Sequence, residues 1–358
     1  MDFTLTPEQA MLRDSARRFV EQDYGFEQRR ALVARGGGFS ESHWASFADL
    51  GWLGAAMPED AGGFGGGAVE SALIAEELGR GLVVEPYVGV AVLAAQALSR
   101  MADERARALL GALIEGRARV VLALDAAQRP FAGSGEARLL AGGPQATHFL
   151  LPVCEGDAVT LFLLPAEAAA PRRRDHRLID GSPACDLAID ADLLAAAVPL
   201  AGPRDVGSVV ADAVAHARVA LCAEALGVMD RALWATRDHL HQRHQFGVPL
   251  ANFQALQHRL ADMLIAHEQA RASLHAALAA LTREDARSRD RAVAMAKVQS
   301  GRSGRFVGAQ AIQLHGGMGM TDEVVVGHCF KRLMVLDALL GGALQLLGEL
   351  ARNEESLR

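Results

Sequence analysis

Along the chain, apolar positions recur first at helical spacing, then in short separated runs, then at helical spacing again. Leu12, Ala16, Phe19 and Val20 share one helical face, after a Thr6-Pro7-Glu8-Gln9 start that suits a first turn. A second helix is predicted through Trp44, Phe47 and Leu50, and a third from about Val69 to Leu82, with two more apolar helical stretches after Pro86. The run Met57–Gly67 between them carries too much glycine for a regular element. From Val120 the pattern changes. Val120–Leu124, His148–Val153 and Ala158–Leu164 are apolar runs bounded by turn formers and predict strands, with Leu187–Asp190 a candidate fourth. From Gly207 helical spacing returns with greater length. Phe253, Leu256, Leu260, Met263, Leu264, His267, Leu274, Leu278 and Leu281 form a long stripe; Ala292–Leu314 repeats it, and a last helix is predicted over about Val335–Arg352. The expected fold class is mainly α with a small β domain. Its parts are an N-terminal helical domain (1–119), a shortened middle β domain (120–203) and a C-terminal long-helix, four-helix-bundle domain (204–358).

Composition narrows this picture. The 358 residues include 51% hydrophobics but only 5% aromatics, so the helices must pack through alanine, leucine and valine. A net charge of −7, spread along the chain, excludes a non-specific nucleic-acid binder. No run of about 18 uncharged apolar residues suggests a membrane span, and the start has no apolar leader core, so a cytoplasmic location is expected. Cys154, Cys185, Cys222 and Cys329 form no CxxC pair and read as buried free thiols. His239, His241 and His244 cannot share one helical face, and no carboxylate cluster joins them, so no metal site is expected. The basic run Arg172-Arg173-Arg174, with His176 and Arg177, reads as a solvated loop rather than a phosphate clamp.

Four blocks carry a family likeness. Pro58-Glu59-Asp60-Ala61-Gly62-Gly63-Phe64-Gly65-Gly66 resembles the PE-x-x-GG-x-G loop of the acyl-CoA dehydrogenase superfamily. Arg243-His244-Gln245-Phe246-Gly247-Val248-Pro249, followed by Phe253-Gln254, resembles its R-x-x-FG-x-P…FQ signature, and Asp262-Met263 matches the helix after it. Gln313-Leu314-His315-Gly316-Gly317-Met318-Gly319-Met320 is similar to its Q-x-x-GG-x-G block. Gly301–Gly308, Phe253–Arg259 and Gly327–Leu333 add a narrower likeness to small subunits of heteromeric, pimeloyl-CoA dehydrogenase-like members.

The resemblance implies an acyl-CoA dehydrogenase-like fold and FAD-dependent desaturation of an acyl-CoA thioester in fatty-acid or steroid side-chain catabolism. It also implies a dimer or heterotetramer, formed with a large subunit or with itself, and electron-transfer flavoprotein as acceptor. By the family pattern, Arg243, Phe246, Gln254, Gln313, Leu314, Gly316 and Gly317 reach an FAD shared across a subunit interface. The family's carboxylate base stands at one of two places, and here these hold Ala217, before Arg218, and Leu340. Neither side chain takes a proton. Glu224 is about two turns from Ala217, roughly 10 Å at 1.5 Å per residue, too far for direct transfer. No catalytic residue is therefore assigned. Where the family's flavin-ring loop stands, this chain has Ala123–Pro130, and no tryptophan occurs between Trp52 and Trp234. Three readings stay open: a base-lacking subunit completing a partner's FAD site, a self-sufficient enzyme with an unrecognised base, or a structural subunit without flavin.

Overall fold

The computed structural model describes residues 4–35, 37–156, 158–282 and 285–355. Six helices come first: α1 (Pro7–Gln22), α2 (Phe26–Ala34), α3 (Glu41–Asp49), α4 (Ala68–Gly81), α5 (Ala95–Ser99) and α6 (Glu104–Ile114). A buried π-helical stretch, Val88–Ala94, leads into α5. At the start of α1, the Thr6 side chain accepts from the Gln9 amide, and Gln9 reciprocates to the Thr6 amide. α2 was not legible as a helix because its inward residue is Arg29, almost fully buried. The Arg29 guanidinium donates to the Leu82 carbonyl (2.7 Å) and lies 3.2 Å from His328 Nδ1.

The β segment holds β1 (Val120–Leu122), β2 (Gly135–Ala141), β3 (His148–Glu155), β4 (Ala158–Pro165), β5 (Arg173–Arg177), β6 (Pro183–Ile189) and β7 (Val198–Pro199). Short helices α7 (Ala166–Ala169) and α8 (Ala191–Ala195) interrupt them. One sheet runs β1-β3-β4-β7 and the other β2-β6-β5, with β1 parallel to β3 and the remaining pairs antiparallel. Val121, Phe149 and Leu164 of the first sheet share a core with Ala137, Cys185, Leu187 and Ile189 of the second. The expected strands are thus joined by β2, β5 and β7, which lack an apolar run. Arg173–Arg177 forms an edge strand, correcting the expected loop.

The long-helix segment follows: α9 (Val206–Gln242), the hairpin β8 (His244–Gln245) and β9 (Val248–Pro249), α10 (Gln254–Leu281), α11 (Ala286–His315), α12 (Val325–Ala338) and α13 (Ala343–Glu355). The single last helix expected over Val335–Arg352 is broken at residues 339–342, where Leu340 (φ 54°) and Gly341 (φ 97°) leave the right-handed region. By length and composition Val206–Gln242 and Val325–Arg352 could cross a membrane, contrary to the sequence expectation. The first has 67% of its apolar window buried inside the fold, as in a core helix, and the second is the interrupted pair α12 and α13. Cys154 is exposed and so departs from the expected burial. Burial pushes the Cys185 and Cys329 thiols up to about 12, which leaves them inert.

By contacts the chain divides into two compact units. One comprises the chain up to Arg29, Ala72–Val83 and the chain from Leu221; the other comprises Arg30–Ser71 and Val84–Ala220. Inside the first, glycines bring backbones together. A Cβ at Gly79 would overlap the Glu224 carbonyl, and one at Gly227 the Glu76 carbonyl, so α4 lies directly on α9. Gly304 and Gly308 similarly admit Leu333 and Phe330 of α12 against α11, at 3.0 and 2.8 Å from where a Cβ would stand. Urea denaturation is expected to show Gly227→Ala destabilised by about 2–3 kcal/mol through this overlap. Gly111→Ala, on α6 with open space around it, should instead gain ~0.5–1 kcal/mol from helix propensity.

Candidate functional site

Two of the sequence blocks meet at one end of the long helices. After α9, β8 and β9 form a hairpin with Phe246 and Gly247 at its tip, where φ is 53° and 82°. A two-residue hairpin turn needs positive φ at both positions. Glycine adopts it freely, while phenylalanine is strained there. The Phe246 ring is nonetheless 91% exposed, with its centroid 6.1 Å from the edge-on Phe253. Arg243, exposed at the end of α9, has no ion-pair partner among the described residues, and Gln254 opens α10 exposed.

At the end of α11, Gln313 is exposed and Gly316 has φ 61° and ψ −141°, a conformation open essentially to glycine alone. Nothing lies within 4 Å of where a Cβ would stand on Gly316 or Gly317, so their backbone faces open space. Leu314 is different. Its side chain is buried, so only its main chain can meet a ligand, which narrows the role expected for it. The two block ends are joined by a contact that sequence reasoning missed: the His239 and His315 rings stack at 4.2 Å with 22° between planes. His239 lies one turn before Arg243, and His315 stands beside Gly316. Burial, first, lowers the pKa of both rings; for His239 the neighbouring His315 and Arg243 add to it. No spacing could reveal this pair, since its members lie on different helices. His241 and His244 are exposed.

The two positions expected by resemblance to carry the family's base are Ala217 and Leu340, and neither side chain accepts a proton. Ala217 is fully buried on α9, and Leu340 occupies the break between α12 and α13. Glu224 is buried, and its Oε1 accepts from Arg332 Nε (2.7 Å) and also from Nη2 of the same guanidinium. It is half of a buried ion pair between α9 and α12.

In the β segment, the stretch expected to stand at the family's flavin loop closes on itself. The Asp125 carboxylate accepts from the amides of Ala127 and Arg129, each at 2.8 Å, and the Asp125 amide donates to the Arg129 carbonyl at 3.0 Å. Those donors are used within the loop. The basic run is likewise neutralised: Arg172 pairs with Asp190 (2.5 Å), Arg173 with Asp175 (2.9 Å) and Arg174 with Asp186 (2.6 Å), while Arg177 donates to the Val33 carbonyl.

Residues 6–117 match the acyl-CoA dehydrogenase N-terminal domain model, and residues 207–352 match the C-terminal domain model. Acyl-CoA dehydrogenase IpdE2 of Mycobacterium tuberculosis is 30% identical over 92% of this chain and 92% of its own length. The chain belongs to the acyl-CoA dehydrogenase family. Members of this family use FAD. Among solved structures, the Tcur3481-Tcur3483 steroid acyl-CoA dehydrogenase is 29% identical, with a TM-score of 0.86 over 99% of this chain and 100% of that one. The ChsE4-ChsE5 complex from Mycobacterium tuberculosis is 26% identical, with a TM-score of 0.87 over 99% of each chain. These likenesses also bring this acyl-CoA dehydrogenase close to the heteromeric members, as the narrower sequence blocks implied.

Because a buried charge stripped of its partner is left desolvated, Arg332→Met is expected to lower stability by about 3–5 kcal/mol in urea melts. Adding Glu224→Met should recover more than half of the loss. No recovery in the double variant would mean that the pair is not the cause.

Proposed function

We propose that this chain is the base-lacking subunit of a heteromeric acyl-CoA dehydrogenase, and that its long-helix end completes the FAD site of a base-bearing partner. One observation carries the reading. The blocks expected to face the cofactor are open at the surface, while Ala217 and Leu340 stand at the positions expected by resemblance to hold the carboxylate. Exposed Phe246 in a strained conformation contributes little to its own fold, as expected of a side chain that works against another molecule. The likeness to Tcur3481-Tcur3483 and to the ChsE4-ChsE5 complex, both named as pairs, supports a two-component assembly such as a heterotetramer.

The residues fit the dinucleotide. Arg243 offers a planar fork of donors for a pyrophosphate, and Gly316 and Gly317 let main-chain amides approach it closely. Phe246, Gln254, Gln313 and the main chain of Leu314 would complete that surface. When bound, FAD accepts the β-hydride of an acyl-CoA thioester. The α-proton goes to a carboxylate that the partner supplies. The closed Asp125 loop supports placing the flavin ring on the partner, because its amides are already taken. Electron-transfer flavoprotein is the proposed acceptor.

The test is flavin absorbance of the purified chain alone and together with a base-bearing acyl-CoA dehydrogenase subunit of the same organism. Flavin is expected only in the mixture, and Arg243→Ala should weaken its retention by about tenfold, the loss of one charge-assisted contact. Stoichiometric flavin with acyl-CoA turnover in the chain alone would overturn the reading.

A further inference from the structure

We infer that the stacked His239–His315 pair is a positioning clasp: it holds the Arg243 hairpin against the Gln313–Gly317 end, and it opens as the pH falls. This rests on the function proposed above and adds a regulation to that site. The geometry is specific. The rings lie 4.2 Å apart and nearly parallel, one a helical turn from Arg243 and the other next to Gly316. They tie the end of α9 to the end of α11, the two places from which the open blocks project.

Such a contact suits two neutral rings and not two cations. His315 Nδ1 lies 2.8 Å from the Ala311 carbonyl, an acceptor, so Nδ1 carries the proton and a second one must go to Nε2. The charged or titratable groups acting on the pair are Arg243, just after α9, and His315, both on His239; no carboxylate among the described residues acts on either ring. The neighbouring Arg237 and Asp238 pair with each other. Burial opposes protonation of both rings and outweighs the Ala311 carbonyl, which favours it at His315. Burial thus holds both rings below the ordinary histidine value of 6.5, so the clasp's stability is fully present above that pH and is lost as pH falls through the lowered folded values. His267 and His328 shift in the same direction. A pH profile of the unaltered protein would mix their effects with the clasp's.

His239→Phe separates them, since it keeps a stacked ring while removing one of the clasp's two titrating groups, and His239→Gln removes the ring. Flavin retained by the complex with its partner subunit is measured after dialysis at several pH values. Between about pH 7.5 and about pH 5.5, the unaltered complex is expected to lose retention by about fivefold or more, and His239→Phe, with only His315 left to titrate, by a distinctly smaller factor. His239→Gln should retain less flavin at every pH. Parallel profiles for the unaltered and His239→Phe complexes would overturn the proposal. The same comparison is made on urea midpoints of the chain alone, which need no flavin. Divergent midpoints with no flavin in the mixture would sink the heteromeric reading, and the positioning role with it, while leaving a pH-sensitive contact in the fold. Parallel midpoints would sink the clasp whatever the flavin does.

Discussion

Glu224 cannot both neutralise buried Arg332 and serve as a free proton acceptor. Its Oε1 takes two donors from one guanidinium, joining α9 to α12 inside the unit that also contains the end of α4. The surrounding packing leaves little room to change this. Gly79 meets the Glu224 carbonyl and Gly227 the Glu76 carbonyl, pressing α4 onto α9 there, and Arg80 ties Glu77 (3.1 Å) to Asp230 across the same two helices. With that carboxylate committed, Glu224 is not free to remove a weakly acidic proton, and Ala217 and Leu340, at the places expected by resemblance to hold the base, have no group that could. In the proposed division of labour, the base comes from another chain.

What the chain keeps is consistent with this division of labour. The Arg243 hairpin is built at some conformational strain, with Phe246 at φ 53°, and the Gln313–Gly317 end relies on a conformation at Gly316 that glycine adopts freely. The β segment keeps a two-sheet core around Phe149 and Leu187, yet its loop at Asp125 spends its amides internally. The proposed sharing of the cofactor rests on these two features together.

Much of this was legible in the residues, for physical reasons. Runs such as His148–Val153 and Ala158–Leu164 announce strands because their side chains are largely buried, whereas Arg173–Arg177 is an edge strand satisfied by ion pairs and leaves no apolar signature. α2 escaped notice because it buries an arginine. The α12–α13 break escaped because Leu339 and Leu340 continue the apolar pattern through it, and only the following glycines mark the turn. At the site, the blocks could be read because each is contiguous. The His239–His315 stack and the Glu224–Arg332 pair depend on tertiary packing between helices distant in sequence, which no local pattern encodes.

The central claim is that this polypeptide contributes no base. The most direct measurement is acyl-CoA-dependent dye reduction by the assembled complex after the partner's own catalytic glutamate is replaced by glutamine. With flavin still bound, turnover should fall to the level of the buffer blank. Turnover clearly above that blank would mean that a group on this chain removes the proton, and would contradict the account.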